Sequence, residues 1–434
     1  MTLSLGLVIG IMILLLFMGS PVIFAIGAAG IAYFFIAPDM TSMLSMVVHK
    51  FFTGMDVFIW LSIPLFVIAG EIMAATNMTE RLLGFSRLLV GRFRGGLAYV
   101  NVVGSMLFGG VSGSAMADIA ALGPIEIDMM KKDGYREDFS AALTVASAIQ
   151  GPIIPPSIPL IMFSSLTNTS VAALFLAGAV PGVMIGLSLM AVVFVMARIH
   201  NFPANPLKNV TMMTVVHIVM EAFWSLLMPV IIVGGIILGI FTATEAASVA
   251  VAYAILVGIF AYRNLSAKKL WEILDRSART TASVYLIVGF ASIISWVVAN
   301  ERLPDNLQAF IHAQEVPTWV LLLAINLFFL INGLFIGDAV QMLLFAPLFT
   351  PILAAVGVDP IHFGVIMTVN VMIGLLTPPF GMALYLGSAV SGVPLRKIIR
   401  ASLPMVGASL IVLLLVTYIP ALSLTLPRYF GFVQ

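Results

Sequence analysis

Two apolar stretches of this chain are interrupted in the same way, 223 residues apart. They read Gly151-Pro152-Ile153-Ile154-Pro155-Pro156 and Gly374-Leu375-Leu376-Thr377-Pro378-Pro379. Proline has no amide hydrogen to donate and its ring clashes with the preceding turn, so a helix unwinds where it sits. Inside a bilayer an unwound backbone is tolerated only where protein encloses it or where it lines a polar cavity. The chain must therefore fold so that two broken helices are wrapped by other spans. Composition agrees: 61% of the 434 residues are hydrophobic, only 9% are charged, and the mean hydropathy is +1.15. That is more apolar surface than one globular core can hide. The 20 basic and 19 acidic residues nearly cancel, which excludes a nucleic-acid binder with its basic clusters. With no Cys there is no disulfide framework and no thiolate nucleophile, and the five His are scattered, which argues against a His-rich metal site. The chain reads as an all-α polytopic membrane protein.

The first apolar run, 3–19, lacks a basic leader and a small-residue cleavage signal, and reads as a retained span. Further crossings are expected near 21–37, 57–75, 137–165, 171–198, 226–242, 244–262, 280–299, 360–391 and 401–424. Asn201 to Lys208 opens a polar linker taken as 201–224. Displaced by 223 residues, the chain matches itself at Gly110/Gly333, Pro124/Pro347, Gly134/Gly357, Gly151/Gly374, Pro155-Pro156/Pro378-Pro379, Ser165/Ser388 and Pro181/Pro404. Most of these are backbone-breaking residues held in one register, the signature of an internal repeat. With the N-terminus outside, 17 of the 20 basic residues fall on the cytoplasmic side, leaving Lys50, Arg302 and Arg428 outside. Each half then crosses five times, so equivalent segments point in opposite directions and the repeat is inverted.

Two more apolar stretches, 95–130 and 318–353, have Gly-rich polar centres at Gly109-Gly110-Val111-Ser112-Gly113-Ser114 and around Asn332-Gly333 and Gly337-Asp338. Each is a re-entrant hairpin or a pair of crossings; parity allows both, and the irregular centres favour hairpins. Unwound carbonyls can ligate a cation, and the following half-helix presents its amides to an anion. Asp118, Ser147, Gln150, Gln341 and Asn370 are polar residues near the tips and breaks, and are candidate substrate contacts. Asp118 either faces the cavity or is held by a serine or a cap. Glu126 and Asp128 sit nearer the cytoplasmic end and are expected to be solvated. Glu245 is read as a structural carboxylate at a helix start. No Arg or Lys lies near either tip in sequence.

The strings Ser112-Gly113-Ser114-Ala115-Met116-Ala117-Asp118, Gly151 to Pro159, Ala177 to Gly182, Gly239 to Ala246 and Asn370 to Pro379 resemble the large membrane subunit of tripartite ATP-independent periplasmic (TRAP) transporters. The resemblance runs nearly end to end. It implies a sodium-driven elevator-type secondary transporter of the ion-transporter superfamily, with two re-entrant hairpins and two broken helices. Carboxylates, sugar acids such as sialic acid, and small sulfonates all suit it. It also implies a small four-helix membrane subunit and a periplasmic substrate-binding protein as partners, in a bacterial inner membrane with both termini periplasmic. Carried onto this sequence, the family's first Na⁺ site falls on Ser112, Ser114, Gly151, Ile153 and Pro156. The repeat then places a second at Gly333, Gly337, Asp338, Gly374, Leu376 and Thr377, unless Asp338 merely caps its helix. Na⁺ is the coupling ion, and no organic cofactor is expected. The segments expected to form the frame are 1–94 and 225–317; those expected to move are 95–200 and 318–434. A stand-alone sodium–dicarboxylate symporter would share these features and would work without a binding protein. A channel would need a continuous polar pore, and an enzyme convergent His, Glu or Cys; neither pattern is present.

Overall fold

The computed structural model describes residues 3–38, 40–203, 211–378 and 381–433. Pro379 of the second break and Lys208 of the linker lie outside the described residues. Among the described residues every regular element is helical. The first half contains α1 (Leu3–Phe17), α2 (Val22–Ile36), α3 (Ser45–Met55), α4 (Ser62–Ala75), α5 (Met78–Val90) and α6 (Gly96–Ser112). It continues with α7 (Ala115–Ala121), α8 (Gly123–Lys132), α9 (Glu137–Ala148), α10 (Ile158–Thr167) and α11 (Val171–Ile199). The second half contains α12 (Met212–Ile237), α13 (Ala243–Leu256), α14 (Ala267–Asn300), α15 (Leu303–Ala313), α16 (Thr318–Gly333) and α17 (Asp338–Ala355). It ends with α18 (Pro360–Gly374), α19 (Met382–Ser391), α20 (Leu395–Tyr418) and α21 (Ala421–Tyr429). Among the described residues, seven helices are long and apolar enough to cross a membrane. Large apolar side chains such as Phe24, Phe35, Phe52, Leu187 and Ile411 stand on the outside, as a lipid-facing surface requires.

The core lies around α9 and α18. Every residue from Phe139 to Ala148 and from Ile361 to Gly374 is buried. A helix apolar on all sides belongs in an interior. Here α9 is wrapped by α6, α8, α19 and α20, and α18 by α16, α17, α11 and α20. The helix after each break reaches across to the opposite half, α10 packing on α17 and α19 on α7 and α8. Around this centre, α2, α3 and α4 pack on α14, and α4 packs on α13. Small residues permit the close approach: a Cβ on Gly27 would meet the Phe290 ring at 2.6 Å, and one on Gly289 the Phe51 ring at 2.6 Å.

Three boundaries differ from the sequence reading. The stretch 211–224 is not linker: α12 starts at Met212, with the Thr211 hydroxyl accepting from the Thr214 amide at 3.3 Å. The basic segment before residue 280 is continuous with the next span, because Ser266 caps α14 and no Gly or Pro interrupts it before Gly289. The chain between the second and third expected crossings also forms a helix, α3, unmarked because its apolar run is short. At Thr242, hydroxyl and amide pair reciprocally with Glu245, so this carboxylate is the helix-start residue expected.

Candidate functional site: two tips seated on two breaks

The first tip is the turn between α6 and α7. Gly113 closes α6 with φ +58°, and Ser114 caps α7 by accepting from the Ala117 amide at 3.4 Å. The left-handed turn needs glycine, and space needs it too, since a Cβ there would lie 2.8 Å from the Pro156 carbonyl oxygen. The tip sits directly on the break. Gly109 and Gly151 meet backbone to backbone, so that a Cβ on Gly109 would be 2.2 Å from the Gly151 Cα. The break runs from Ile149 to Ser157. Ser157 caps α10 by accepting from the Leu160 amide at 3.2 Å, and donates to the Pro152 carbonyl. Among the described residues no backbone hydrogen bond ends on the carbonyls of Gly151, Ile153 or Pro156. Carbonyl oxygens of this kind are hard donors that small oxygen-loving cations take; that of Pro156 faces Gly113 of the tip, and that of Ile153 faces Gly178 of α11.

The second tip repeats the seating with different residues. Gly333 ends α16 against Gly374, where a Cβ on either would stand 2.7–2.8 Å from the other's Cα. Gly337 caps α17, and its added Cβ would touch the Met382 Cε at 2.9 Å. Asp338 opens α17, half-buried. Leu376 is buried, and Thr377 donates to the Ile373 carbonyl at 2.8 Å. Each tip thus meets its break at one glycine–glycine contact, Gly109 on Gly151 and Gly333 on Gly374.

The five expected substrate contacts are fully buried and hydrogen-bonded internally, and among the described residues Asp118 Oδ2, Gln150 Oε1, Gln341 Oε1 and Asn370 Oδ1 have no hydrogen-bond partner. Asp118 accepts from Ser105 at 3.3 Å, the serine alternative left open by its position. The single Ser105 hydrogen is shared between Asp118 and the Ser147 hydroxyl, 3.1 Å away, and Ser147 donates to Asn101 Oδ1 at 2.8 Å. The Asn101 amide donates to Thr144 at 2.6 Å and to Glu126 at 2.7 Å. Glu126 is therefore no solvated carboxylate but a fully buried one, because α8 turns its apolar side and this residue onto α6 and α9. Asp128 is solvated as expected and pairs with Lys132 at 2.6 Å. Gln150 donates to the Val102 carbonyl at 3.0 Å, and Gln341 to that of Ile336 at 2.9 Å. Asn370 donates to the Asn326 side chain at 2.8 Å, which in turn reaches Thr417 at 2.9 Å. Asn101, Ser105, Thr144 and Asn326 were missed in sequence. The signal was there: Asn101 and Ser105 stand four apart, and Thr144 and Ser147 three apart, so each pair shares a helix face.

One cation does approach the first tip. Arg276 on α14 lines a cavity with Ala117, Ala120 and Ala121 of α7, contrary to the expectation that no basic residue lies near. The distance in sequence is bridged by folding α14 onto α4.

Two tips on two breaks, enclosed by apolar helices, define a helical multi-pass membrane transporter. Solved structures share the fold at 15% identity: the YdaH transporter of Alcanivorax borkumensis (TM-score 0.59, covering 89% of this chain and 90% of that one) and MtrF of Neisseria gonorrhoeae (0.63; 88% and 84%). The chain belongs to the family described as the tripartite ATP-independent periplasmic transporter, DctM component, which it matches over residues 9–422. It is 41% identical to the sialic acid TRAP transporter large permease protein SiaM of Vibrio cholerae, over 96% of both chains. It is 39% identical to the C4-dicarboxylate TRAP transporter large permease protein DctM of Pseudomonas aeruginosa, over 91% of both. With the isethionate TRAP transporter permease protein DctMQ of Oleidesulfovibrio alaskensis it shares 34%, over 96% of this chain and 65% of the relative. These relatives are named as transporter permeases, not enzymes.

Proposed function

We propose that this chain carries out sodium-coupled uptake of an organic anion across a bacterial inner membrane, with both termini periplasmic. The observation that carries the reading is the seating of Gly113 and Gly109 on the 151–156 break, where the carbonyls of Gly151, Ile153 and Pro156 accept no backbone hydrogen bond among the described residues. Ser112, Ser114, Gly151, Ile153 and Pro156 hold one Na⁺; Gly333, Gly337, Asp338, Gly374, Leu376 and Thr377 hold a second. The buried set Asp118, Ser147, Gln150, Gln341 and Asn370 positions the tips and breaks in this state, and substrate contact by any of them requires the breaks to part. Sialate, C4-dicarboxylates and isethionate, named for the relatives, are all organic anions. A small four-helix subunit and a periplasmic binding protein complete the assembly, in keeping with the tripartite family.

The motion is an elevator built on an inverted repeat, with 95–200 and 318–424 moving against 1–75 and 225–299. In its support, α7 and α8 together span 115–132 while α17 spans 338–355, the same displacement as the sequence matches. The crossed packing of α10 on α17 and of α19 on α7 and α8 also ties the two moving parts into one body. Docking of the binding protein outside can shift this body only by its differential affinity for the two states.

In the three-component system reconstituted in vesicles, Ser114→Ala should raise the sodium concentration for half-maximal uptake. Unchanged sodium dependence would remove Ser114 from the site. Full uptake by the chain alone would favour the stand-alone symporter.

A further inference from the structure

Beside the first tip, α4, α6, α7 and α14 enclose a cavity of about 240 Å³. Its wall is made of Phe108 of α6, small residues that include Gly70 of α4 and Ala117, Ala120 and Ala121 of α7, and one ion pair, Glu71 and Arg276. A Cβ on Gly70 would lie 3.3 Å from the Ser112 Cα, so the far side of this wall is the tip itself. The guanidinium Nη2 stands 3.3 Å from a Glu71 oxygen, and the two side chains stay 61% and 34% exposed. A pair this wet contributes little to stability, so holding the fold together is not a sufficient reason for it. What the geometry offers is a guanidinium, the group whose planar fork grips a carboxylate through two parallel bonds, in a recess with no other cation among the described residues.

We propose that Arg276 is an anion station on the cytoplasmic side of the first tip, where the carboxylate or sulfonate of the transported anion displaces Glu71 as it leaves. This rests on the transport reading above and adds to it a named residue on the release path. At about 30 Å³ per water, the cavity has room for roughly eight waters, enough for an anionic head and a few carbons. Glu71 competes for the same fork, which keeps the hold weak enough for release. The station lies between α14 and α4 on one side and α7 on the other, so the anion meets it only while this cleft is open.

The test reads chemistry at the cavity, not uptake, so its failure is separable from failure of the transport reading. The chain has no native Cys, and Ala120 is exposed in the wall, so Ala120→Cys gives one reporter thiol. In the detergent-purified full chain, label it with an anionic reagent, 2-sulfonatoethyl methanethiosulfonate, and with its trimethylammonium counterpart. Arg276→Gln should slow the anionic reagent relative to the cationic one by roughly tenfold, the lower end of what charge in a cleft does to local ion concentration. Glu71→Gln should speed it. Succinate should protect the thiol in the parent and not in Arg276→Gln. Arg276→Lys, which keeps the charge, should keep the reagent preference while weakening protection. Equal reagent ratios with and without Arg276, or no protection by succinate, would overturn the proposal. Protection by phosphatidylglycerol without protection by succinate would assign the cavity to a lipid headgroup and overturn it equally.

Discussion

Gly109→Ala tests the seating of tip on break most sharply. The new methyl carbon would sit 2.2 Å from the Gly151 Cα and 3.0 Å from its nitrogen. Ordinary contact begins near 3.4 Å, and the obstacle is backbone, which cannot swing aside as a side chain can. The two segments must therefore part by about 1.2 Å. Alanine gains up to about 1 kcal/mol in helix propensity over glycine. Overpacking costs about 1–3 kcal/mol. The fold should thus lose no more than about 3 kcal/mol. The cage suffers more, because a displacement of about 1 Å in a preorganised site costs on the order of 10²-fold. Gly84→Ala is the control: it also lies within a helix, with nothing within 4 Å of the added carbon. Uptake against a sodium series, beside thermal unfolding of the purified chain, separates the two effects. We expect Gly109→Ala to need at least roughly tenfold more sodium with a modest fall in unfolding temperature, about 1.4 kcal/mol of binding being tenfold. Gly84→Ala should behave as the parent. Parental sodium dependence in Gly109→Ala, with the protein folded, would refute the claim that this contact shapes a cation site.

Two further outcomes follow from the buried polar groups. Asn101→Ala removes the donor that Glu126 and Thr144 share and should destabilise by about 1–3 kcal/mol, since a buried acceptor is left unmet. In a Glu126→Leu background the same change should cost less, a coupling of at least about 0.5 kcal/mol; strict additivity in thermal unfolding would show that the network is not cooperative. Ser157→Ala removes the α10 cap and the bond back to Pro152, and should cost about 1–2 kcal/mol in the same assay, with an unchanged melt counting against the break being held by that serine.

Breaks and tips were legible in the sequence because proline and glycine act locally: they forbid or permit backbone conformations whatever surrounds them. Thus Gly151 to Pro156 unwinds where its composition says it must, and Gly113 turns where a tip was expected. The lipid-facing character of the spans was legible too, since it needs only length and hydropathy. Helix starts that depend on a single capping hydroxyl, such as Thr211 before α12, were obscured by the polar residues around them. What tertiary structure alone decided was where side chains far apart in sequence meet. Whether Glu126 is wet or buried depends on which face α8 turns toward α6 and α9, and a ten-residue helix of mixed character does not announce that face. Arg276 stands 158 residues beyond Asp118, on a segment whose charge alone marked it as cytoplasmic surface. Only the packing of α14 along α4 puts its guanidinium beside the first tip, because a residue's neighbours across a helix interface are set by the fold's crossing geometry and not by distance along the chain.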